Sequence, residues 1–126
     1  TYERYASLSG RMTADDMFSS DLTQDELGDI LGHLTGVPCL WVFGGDDEYV
    51  PPPVKANYES LARRIAAAAD ASTGKSVPVI VEGGNHALDN RCTDFVCTVM
   101  DFIERKVLMV DESKYLRTFT SRSRFL

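Results

Sequence analysis

The residues best suited to chemistry in this sequence are a run of three acids and one histidine. Asp46, Asp47 and Glu48 follow a glycine pair, and His86 follows a second glycine pair further along the chain. A carboxylate that accepts the N–H of an imidazole fixes the histidine tautomer and stabilises the imidazolium during proton transfer. If the two loops meet, the sequence predicts an acid and histidine pair that moves protons.

The same residues have two other interpretations. Acids after a strand often only close a turn or complement the dipole of the next helix, and a histidine after Gly-Gly-Asn is often structural. The three acids and His86 could instead bind a divalent cation, because oxygen ligands with one imidazole suit such ions. Consecutive side chains do not all point one way, however, and the loop has no spaced ligand pattern. We therefore expect no metal and no other cofactor.

Two short apolar runs precede these loops and indicate strands. Residues 37–43 read VPCLWVF and residues 77–82 read VPVIVE, and each run is too short for a stable helix. Continuous apolar runs of this length are typical of strands that are buried on both faces of a parallel sheet. Sites in α/β proteins lie at the carboxyl ends of such strands, so both loops are expected on one rim.

Helical patterns alternate with these strands. Thr23 and Glu26 have the spacing of a capping box at the start of the first helix. A second helix is predicted from the three prolines at 51–53 to about Ala69, and a third from about Leu88. The order helix, strand, helix, strand, helix predicts an α/β fold with parallel strands and right-handed crossovers.

The predicted sheet is too small to be complete. Two strands this apolar need neighbouring strands and helices on both faces, and an uncovered apolar edge favours aggregation. We therefore expect the chain to form one end of a larger sheet. Residues 1–22 are interpreted as a cap or linker, residues 23–107 as part of the main domain and residues 108–126 as a tail.

Bulk composition excludes several classes of protein. The chain has 126 residues and a net charge of -6, which predicts at most one domain and argues against a nucleic-acid binder. No apolar run approaches the roughly 20 residues that cross a bilayer, and no signal peptide is visible. Cys39, Cys92 and Cys97 are odd in number and lack the spacing of a metal knuckle. This cysteine usage fits a reducing, cytoplasmic compartment without a disulfide scaffold.

Two motifs resemble those of the α/β-hydrolase superfamily. LWVFGGDDEYVPP is similar to its acid loop, in which a strand leads to Gly-x-x-Asp-x-x-Val-Pro, here Gly44, Asp47, Val50 and Pro51. VEGGNHAL is similar to its histidine loop, in which the last strand ends in a glycine-rich turn before the histidine, here His86. The acid precedes the histidine, as in that fold, and the chain between them has room for one helix and one strand.

The resemblance spans residues 36–106 and implies the C-terminal part of a serine esterase. In that mechanism a serine attacks the ester carbonyl, the histidine carries the proton and the acid orients the histidine. The register to the Val-Pro pair assigns the acid to Asp47, so Asp47 and His86 are the expected catalytic residues. Asp46 and Glu48 are then expected to face solvent or to support the loop.

A second, softer motif within residues 4–27 resembles a fungal and plant branch that includes intracellular siderophore-ester hydrolases. It reads RYASLSG and then DDMFSSDLTQDEL. The resemblance implies a small-molecule ester as substrate, with a siderophore ester as the leading candidate. Met17, Phe18 and Tyr49 are expected to contact this substrate. The competing interpretation is that Met17 and Phe18 pack into the core and that Tyr49 is a packing residue.

The sequence departs from the hydrolase family at the nucleophile. It contains no G-x-S-x-G elbow, and its serines near the N-terminus lack that context. The serine and the oxyanion hole are therefore expected on an N-terminal half of the same fold, which would be the partner of this chain. We expect the isolated chain to be inactive. The alternative is a non-catalytic truncated hydrolase or an interaction module that needs a partner chain.

Overall fold

The computed structural model describes residues 18–109 and 123–125. The elements in chain order are α1 (Gln24–Leu31), a 3₁₀ turn (Gly32–Leu34), β1 (Cys39–Gly44), α2 (Pro52–Lys55), α3 (Tyr58–Ala69), β2 (Ser76–Val81), a 3₁₀ turn (Asp89–Arg91), α4 (Cys92–Phe102), a π-helical turn (Ile103–Val107) and β3 (Ser123–Phe125). Helices and strands alternate as the sequence predicts. Most of the proposed cap and most of the tail lie outside the described residues, so the three-part division stays a prediction.

The sheet has the strand order β1-β2-β3. β1 and β2 are parallel, with Cys39 opposite Ser76 and Gly44 opposite Val81. β3 runs antiparallel to β2 along its other edge. The parallel pair with flanking helices agrees with the predicted α/β class, whereas the sequence predicts only a tail where β3 lies.

The core lies between α1, α3 and one face of the sheet. Its buried members are Leu22, Leu27, Leu31, Phe43, Tyr58, Leu61, Ala62, Ile65 and Ala69. Ile80 packs against this cluster. Because side chains alternate along a strand, its neighbours Val79 and Val81 point to the opposite face, where both are fully buried. β2 is thus covered on both faces, which explains its continuous apolar sequence.

The capping box at the start of α1 is confirmed. The Thr23 hydroxyl accepts the N–H of Glu26 over 3.2 Å, and the Glu26 carboxylate accepts the N–H of Thr23 over 2.8 Å. The guanidinium of Arg64 on α3 also donates to the carbonyl of Leu22, just before this cap. These bonds join the start of α1 to α3.

The helix predicted after the prolines is divided in two. α2 ends at Lys55 and α3 begins at Tyr58, because Asn57 has non-helical φ and ψ of -120° and 27°. The prolines open α2 as predicted, at positions where their missing N–H costs nothing. Tyr58 at the start of α3 is buried, and its ring packs edge-on against Phe43 with the ring centroids 5.6 Å apart.

The outer edge of β1 has no partner strand among the described residues. The N–H groups of Cys39 and Gly45 donate towards β2, to the carbonyls of Lys75 and Val81. Since donors alternate in direction along a strand, the N–H groups of Leu40 and Val42 point away from β2. The described sheet is therefore incomplete on this side. In the same part of the chain, every helix falls short of the length and apolar character that a membrane span requires.

Candidate active site

Two loops meet at the carboxyl ends of the parallel strands. The acid loop, residues 45–51, follows β1, and the histidine loop, residues 82–88, follows β2. The N–H of Asp46 in the first loop donates to the carbonyl of Gly84 in the second over 2.8 Å. Adjacent parallel strands thus bring both loops to one rim of the sheet, as the sequence predicts.

Gly44 permits this close approach. A Cβ atom at position 44 would lie 2.6 Å from the carbonyl oxygen of Gly84 and closer still to that of Asn85. Both oxygens belong to the backbone, so neither can move aside without shifting the histidine loop. A residue with a side chain at position 44 would therefore push the two loops apart.

Asp47 and His86 are in direct contact. Asp47 Oδ2 lies 2.9 Å from His86 Nδ1, and Asp47 Oδ1 accepts the N–H of Tyr49 over 2.9 Å. The carboxylate is shielded, with Asp47 8% exposed, whereas the side chain of His86 is 60% exposed. The imidazole is thus accessible to an incoming group, while the carboxylate of Asp47 is fixed by the N–H of Tyr49.

The electrostatics of Asp47 favour the ionised carboxylate. Burial alone raises the pKa of Asp47, but the hydrogen bonds from His86 and Tyr49 and the charges of His86 and Lys55 outweigh it. The net result is a pKa below its usual value of 3.8. An ionised Asp47 can only accept, so Nδ1 of His86 must carry the proton in this contact. In the neutral imidazole Nε2 then has the free lone pair, and no described group bonds it.

Glu48 also contacts His86, through the backbone. Its carboxylate oxygen Oε2 accepts the N–H of His86 over 3.0 Å. Glu48 therefore supports the loop, which was one of the two roles left open for it. The side chain of Asp46 is exposed, and the backbone N–H of this residue joins the loops.

Sequence reasoning missed a residue that closes the histidine loop. The Asn90 side chain donates to the carbonyl of Gly83 over 2.8 Å and accepts the N–H of Asn85 over 2.9 Å. The Asn85 side chain in turn donates to Asp89 over 2.6 Å. The available signal was the pair of asparagines, Asn85 and Asn90, on either side of the expected helix start, because asparagine side chains often bond nearby backbone in turns.

A cavity of about 450 Å³ opens beside Asp47 and His86. Most of its wall is aromatic or aliphatic, with Phe18, Phe43 and Leu61 among the lining side chains. A larger cavity of about 860 Å³ lies along α3 and is not lined by Asp47 or His86. The smaller cavity is therefore the one that could hold a molecule next to the imidazole.

The expected substrate contacts fall at this cavity where the structure describes them. Phe18 lines the cavity, is 52% exposed, and packs edge-on against Trp41 and Phe43 with ring centroids 6.3 Å apart in both pairs. Tyr49 is 74% exposed, and its ring centroid lies 4.9 Å from that of His86. Met17 lies outside the described residues. Substrate contact by these residues stays a prediction.

Tyr58 adds a neutral phenol to the cavity wall. Burial, followed by the negative charge of Asp47, raises the pKa of Tyr58 to about 12. The phenol is therefore protonated at any physiological pH and contributes no charge next to Asp47. Its position on the wall suits packing against an uncharged group.

The carboxylates of the acid loop do not converge on a common point. Those of Asp47 and Glu48 bond different parts of His86, and that of Asp46 is exposed. In the described ranges, no three side chains of histidine, cysteine, aspartate or glutamate lie close enough together to hold a metal ion. The three cysteines, all within these ranges, form no disulfide. Within these ranges, the contact between ionisable side chains of the two loops is that of Asp47 with His86.

Comparison with known proteins identifies a family but no activity. A protein-family model with the description "Protein of unknown function (DUF1749)" matches residues 1–107. Neither a curated protein nor a solved structure matches the chain.

Proposed function

The chain belongs to the DUF1749 family, whose function is unknown, and from its site we propose that it is the C-terminal part of a serine esterase with an α/β-hydrolase fold. The observation that carries this proposal is the 2.9 Å contact between Asp47 Oδ2 and His86 Nδ1. The pair sits where two adjacent parallel strands end. Both motifs that resemble the hydrolase loops contribute to that contact.

The proposed reaction uses His86 as the proton carrier. Nε2 takes the proton of a serine hydroxyl as the serine oxygen bonds to the ester carbonyl carbon, and the imidazolium then protonates the departing alcohol. Water then bonds to the acyl carbon as Nε2 takes its proton, the bond from that carbon to the serine oxygen breaks, and the imidazolium returns the proton to the serine. Asp47 holds the ring by Nδ1 throughout and stabilises its positive charge. The serine and the oxyanion hole would come from an N-terminal half of the same fold.

The assignment of the acid to Asp47 rather than Asp46 has structural support. Asp47 is shielded and uses both carboxylate oxygens, one on the ring of His86 and one on the N–H of Tyr49. Asp46 has an exposed side chain. A carboxylate that is held at both oxygens orients an imidazole better than one that is free to rotate in water.

The proposed substrate is a small-molecule ester. The largely apolar cavity next to His86 is compatible with an uncharged group, with Phe18 and Tyr49 as proposed contacts. A siderophore ester stays the leading candidate, on the motif in residues 4–27 alone. The cytoplasmic location expected from the cysteines also stays a prediction.

The test is site-directed substitution in the full-length parent protein. His86→Ala should lower kcat/KM for ester hydrolysis by about 10⁴-fold or more, because removing a triad member leaves only binding and oxyanion stabilisation. Asp47→Asn should also lower kcat/KM strongly, whereas Asp46→Asn, the matched control, should lower it only slightly. Activity of His86→Ala near the parent level would refute the proposal, and a reversed order of the two aspartates would refute the register.

A second candidate function is a non-catalytic interaction module. The unpaired outer edge of β1 and the absence of a G-x-S-x-G elbow from the sequence favour it. A serine-reactive phosphonate should not label the 126-residue chain under either candidate. Labelling of the parent protein at a serine upstream of this segment would decide for the esterase, and no labelling there would decide for the module.

A further inference from the structure

We propose that Glu48 is a positioning residue that holds His86 in its working orientation by binding its backbone N–H. This inference rests on the proposed function, since it assigns a further role at the same site. Two consecutive acids hold one histidine at two points: Asp47 binds ring atom Nδ1 over 2.9 Å, and Glu48 binds the backbone N–H over 3.0 Å. Each acid fixes a different part of the same residue.

His86 needs such a support because packing holds it only weakly: the ring of Tyr49, with its centroid 4.9 Å away, is itself on a side chain that is 74% exposed. The side chain of His86 is 60% exposed, so few neighbours restrict its rotation. The backbone before it contains Gly83, at a φ of 69°, and Gly84, which have no side chains to anchor the turn. Hydrogen bonds therefore decide where the imidazole lies.

The other hydrogen bonds of the histidine loop surround His86 but do not bind its N–H; the nearest joins the N–H of Leu88 to the carbonyl of Asn85 over 3.1 Å. Asn90 binds the carbonyl of Gly83 and the N–H of Asn85. Among the described groups, Glu48 is the acceptor for the next N–H along the chain, that of His86. The bond also crosses between the loops, so it transmits the position of the acid loop directly to the histidine.

The charge of Glu48 makes this bond more than an ordinary loop contact. Hydrogen bonds to an ionised acceptor are shorter and roughly twice as strong as neutral ones. The bond is exposed to water, which weakens it, so its main effect is expected on the orientation of His86 rather than on global stability. Loss of the bond should let the imidazole leave Asp47 for part of the time.

The test is NMR of the 126-residue chain with three variants: Glu48→Ala, Glu48→Gln and, as matched control, Asp46→Ala. Two signals are read: the hydrogen-exchange rate of the His86 amide, and the imidazole ¹⁵N shifts, which report the tautomer. The parent chain should favour the tautomer with the proton on Nδ1. Glu48→Ala should speed amide exchange by about tenfold or more, as expected for loss of a bond to a charged group. It should also move the tautomer towards the mixture of a free imidazole.

Partial recovery in the conservative variant Glu48→Gln distinguishes a loss of positioning from a loss of the folded structure. Glu48→Gln keeps an acceptor oxygen but loses the charge, so both signals should lie between those of the parent chain and those of Glu48→Ala. Asp46→Ala should match the parent chain. The amides of Val79 and Val81, buried in β2, report whether the fold is intact. Unchanged exchange and tautomer in Glu48→Ala would overturn the proposal.

A measurement on the full-length parent covers the case in which the chain alone does not fold. Glu48→Ala should there lower kcat by about tenfold with little change in KM, because misplacing a proton carrier affects the chemical step more than binding. Unchanged kcat would overturn the positioning role. A parent without esterase activity, combined with the expected NMR changes, would instead refute the proposed function and leave Glu48 as the residue that positions His86.

Discussion

The three neighbouring acids of the acid loop have three different environments. Asp46 is exposed, Asp47 is buried against the ring of His86, and Glu48 reaches the backbone of the same histidine. Consecutive side chains leave the backbone in different directions, so adjacency in sequence does not make them equivalent. At the residue scale, the direction of each side chain decides its chemistry.

Asp70 is a second buried acid, and it lies outside the candidate site. Its carboxylate accepts the N–H groups of Gly36, Ser72 and Thr73 and the hydroxyl of Thr73. The side-chain bond from Thr73, followed by the backbone bonds, holds the pKa of Asp70 well below its usual value of 3.8. Asp70 thus joins the turn after α3 to the segment before β1.

We expect Asp70→Asn to lower the free energy of unfolding at neutral pH. Because the pKa of Asp70 is lower in the folded than in the unfolded chain, its stabilisation is fully present above the usual value of 3.8 and is lost as the pH falls through the folded value. The difference in the free energy of unfolding between parent and variant should therefore become smaller below pH 3.8. Urea denaturation across that range measures it, with the exposed Asp29→Asn as control. A gap that stays constant into strong acid would contradict this account.

At the scale of elements, the site depends on how closely two strand ends approach. β1 and β2 run parallel, and their loops join where Gly44 faces the backbone of Gly84 and Asn85. The bond from the N–H of Asp46 to the carbonyl of Gly84 joins the loops at this point, so their relative position follows from the strands and from this approach. The element that sets the site is therefore the end of β1.

Gly44→Ala should disturb the site and the fold together. The added methyl group meets backbone atoms, and overpacking of this kind costs about 1–3 kcal/mol of stability. The contact between Asp47 and His86 should be lost or lengthened, which the imidazole ¹⁵N shifts would report. Thermal or urea unfolding measures the cost in stability.

Gly28→Ala is the matched control for that substitution. Gly28 lies in α1, and a methyl group there would meet nothing within 4 Å. Alanine favours a helix interior over glycine, so this variant should gain about 0.5–1 kcal/mol of stability. Equal effects of the two substitutions would show that the close approach at Gly44 is not the determining feature.

At the scale of the whole molecule, the outer edge of β1 is an unpaired edge of the described sheet. Leu40 and Val42 direct their N–H groups away from β2, whereas Trp41 and Phe43 alternate with them and direct theirs towards it. In a complete hydrolase sheet, as proposed here, another strand would pair with that edge. The edge therefore offers a direct test of completeness.

Hydrogen exchange should reveal this asymmetry along a single strand. In the 126-residue chain the amides of Leu40 and Val42 should exchange faster than those of Trp41 and Phe43. In the full-length parent, or after addition of its N-terminal half, all four should be protected. Fast exchange of Leu40 and Val42 in the full-length protein would argue against the proposed larger sheet.

Local patterns in the sequence predicted much of this molecule. The capping box at Thr23 and Glu26, the two apolar strands and their parallel arrangement all follow from short-range rules of spacing and from the order of elements. The observed strand ends differ from the predicted ends by one or two residues, because the boundary of a strand depends on its hydrogen bonds to the neighbouring strand. The meeting of the acid loop with the histidine loop was also predictable, since parallel neighbours end on one rim.

The sequence by itself therefore determined the alternation of helices with the two parallel strands and which two loops share a rim. Tertiary structure alone decided that Glu48 binds the N–H of His86, that Asn90 closes the loop, that the helix breaks at Asn57 and that β3 pairs with β2. The physical reason is how far apart along the chain the interacting residues lie. Periodicity and capping depend on residues a few positions apart, whereas these contacts depend on where the packed backbone brings distant atoms within hydrogen-bonding distance.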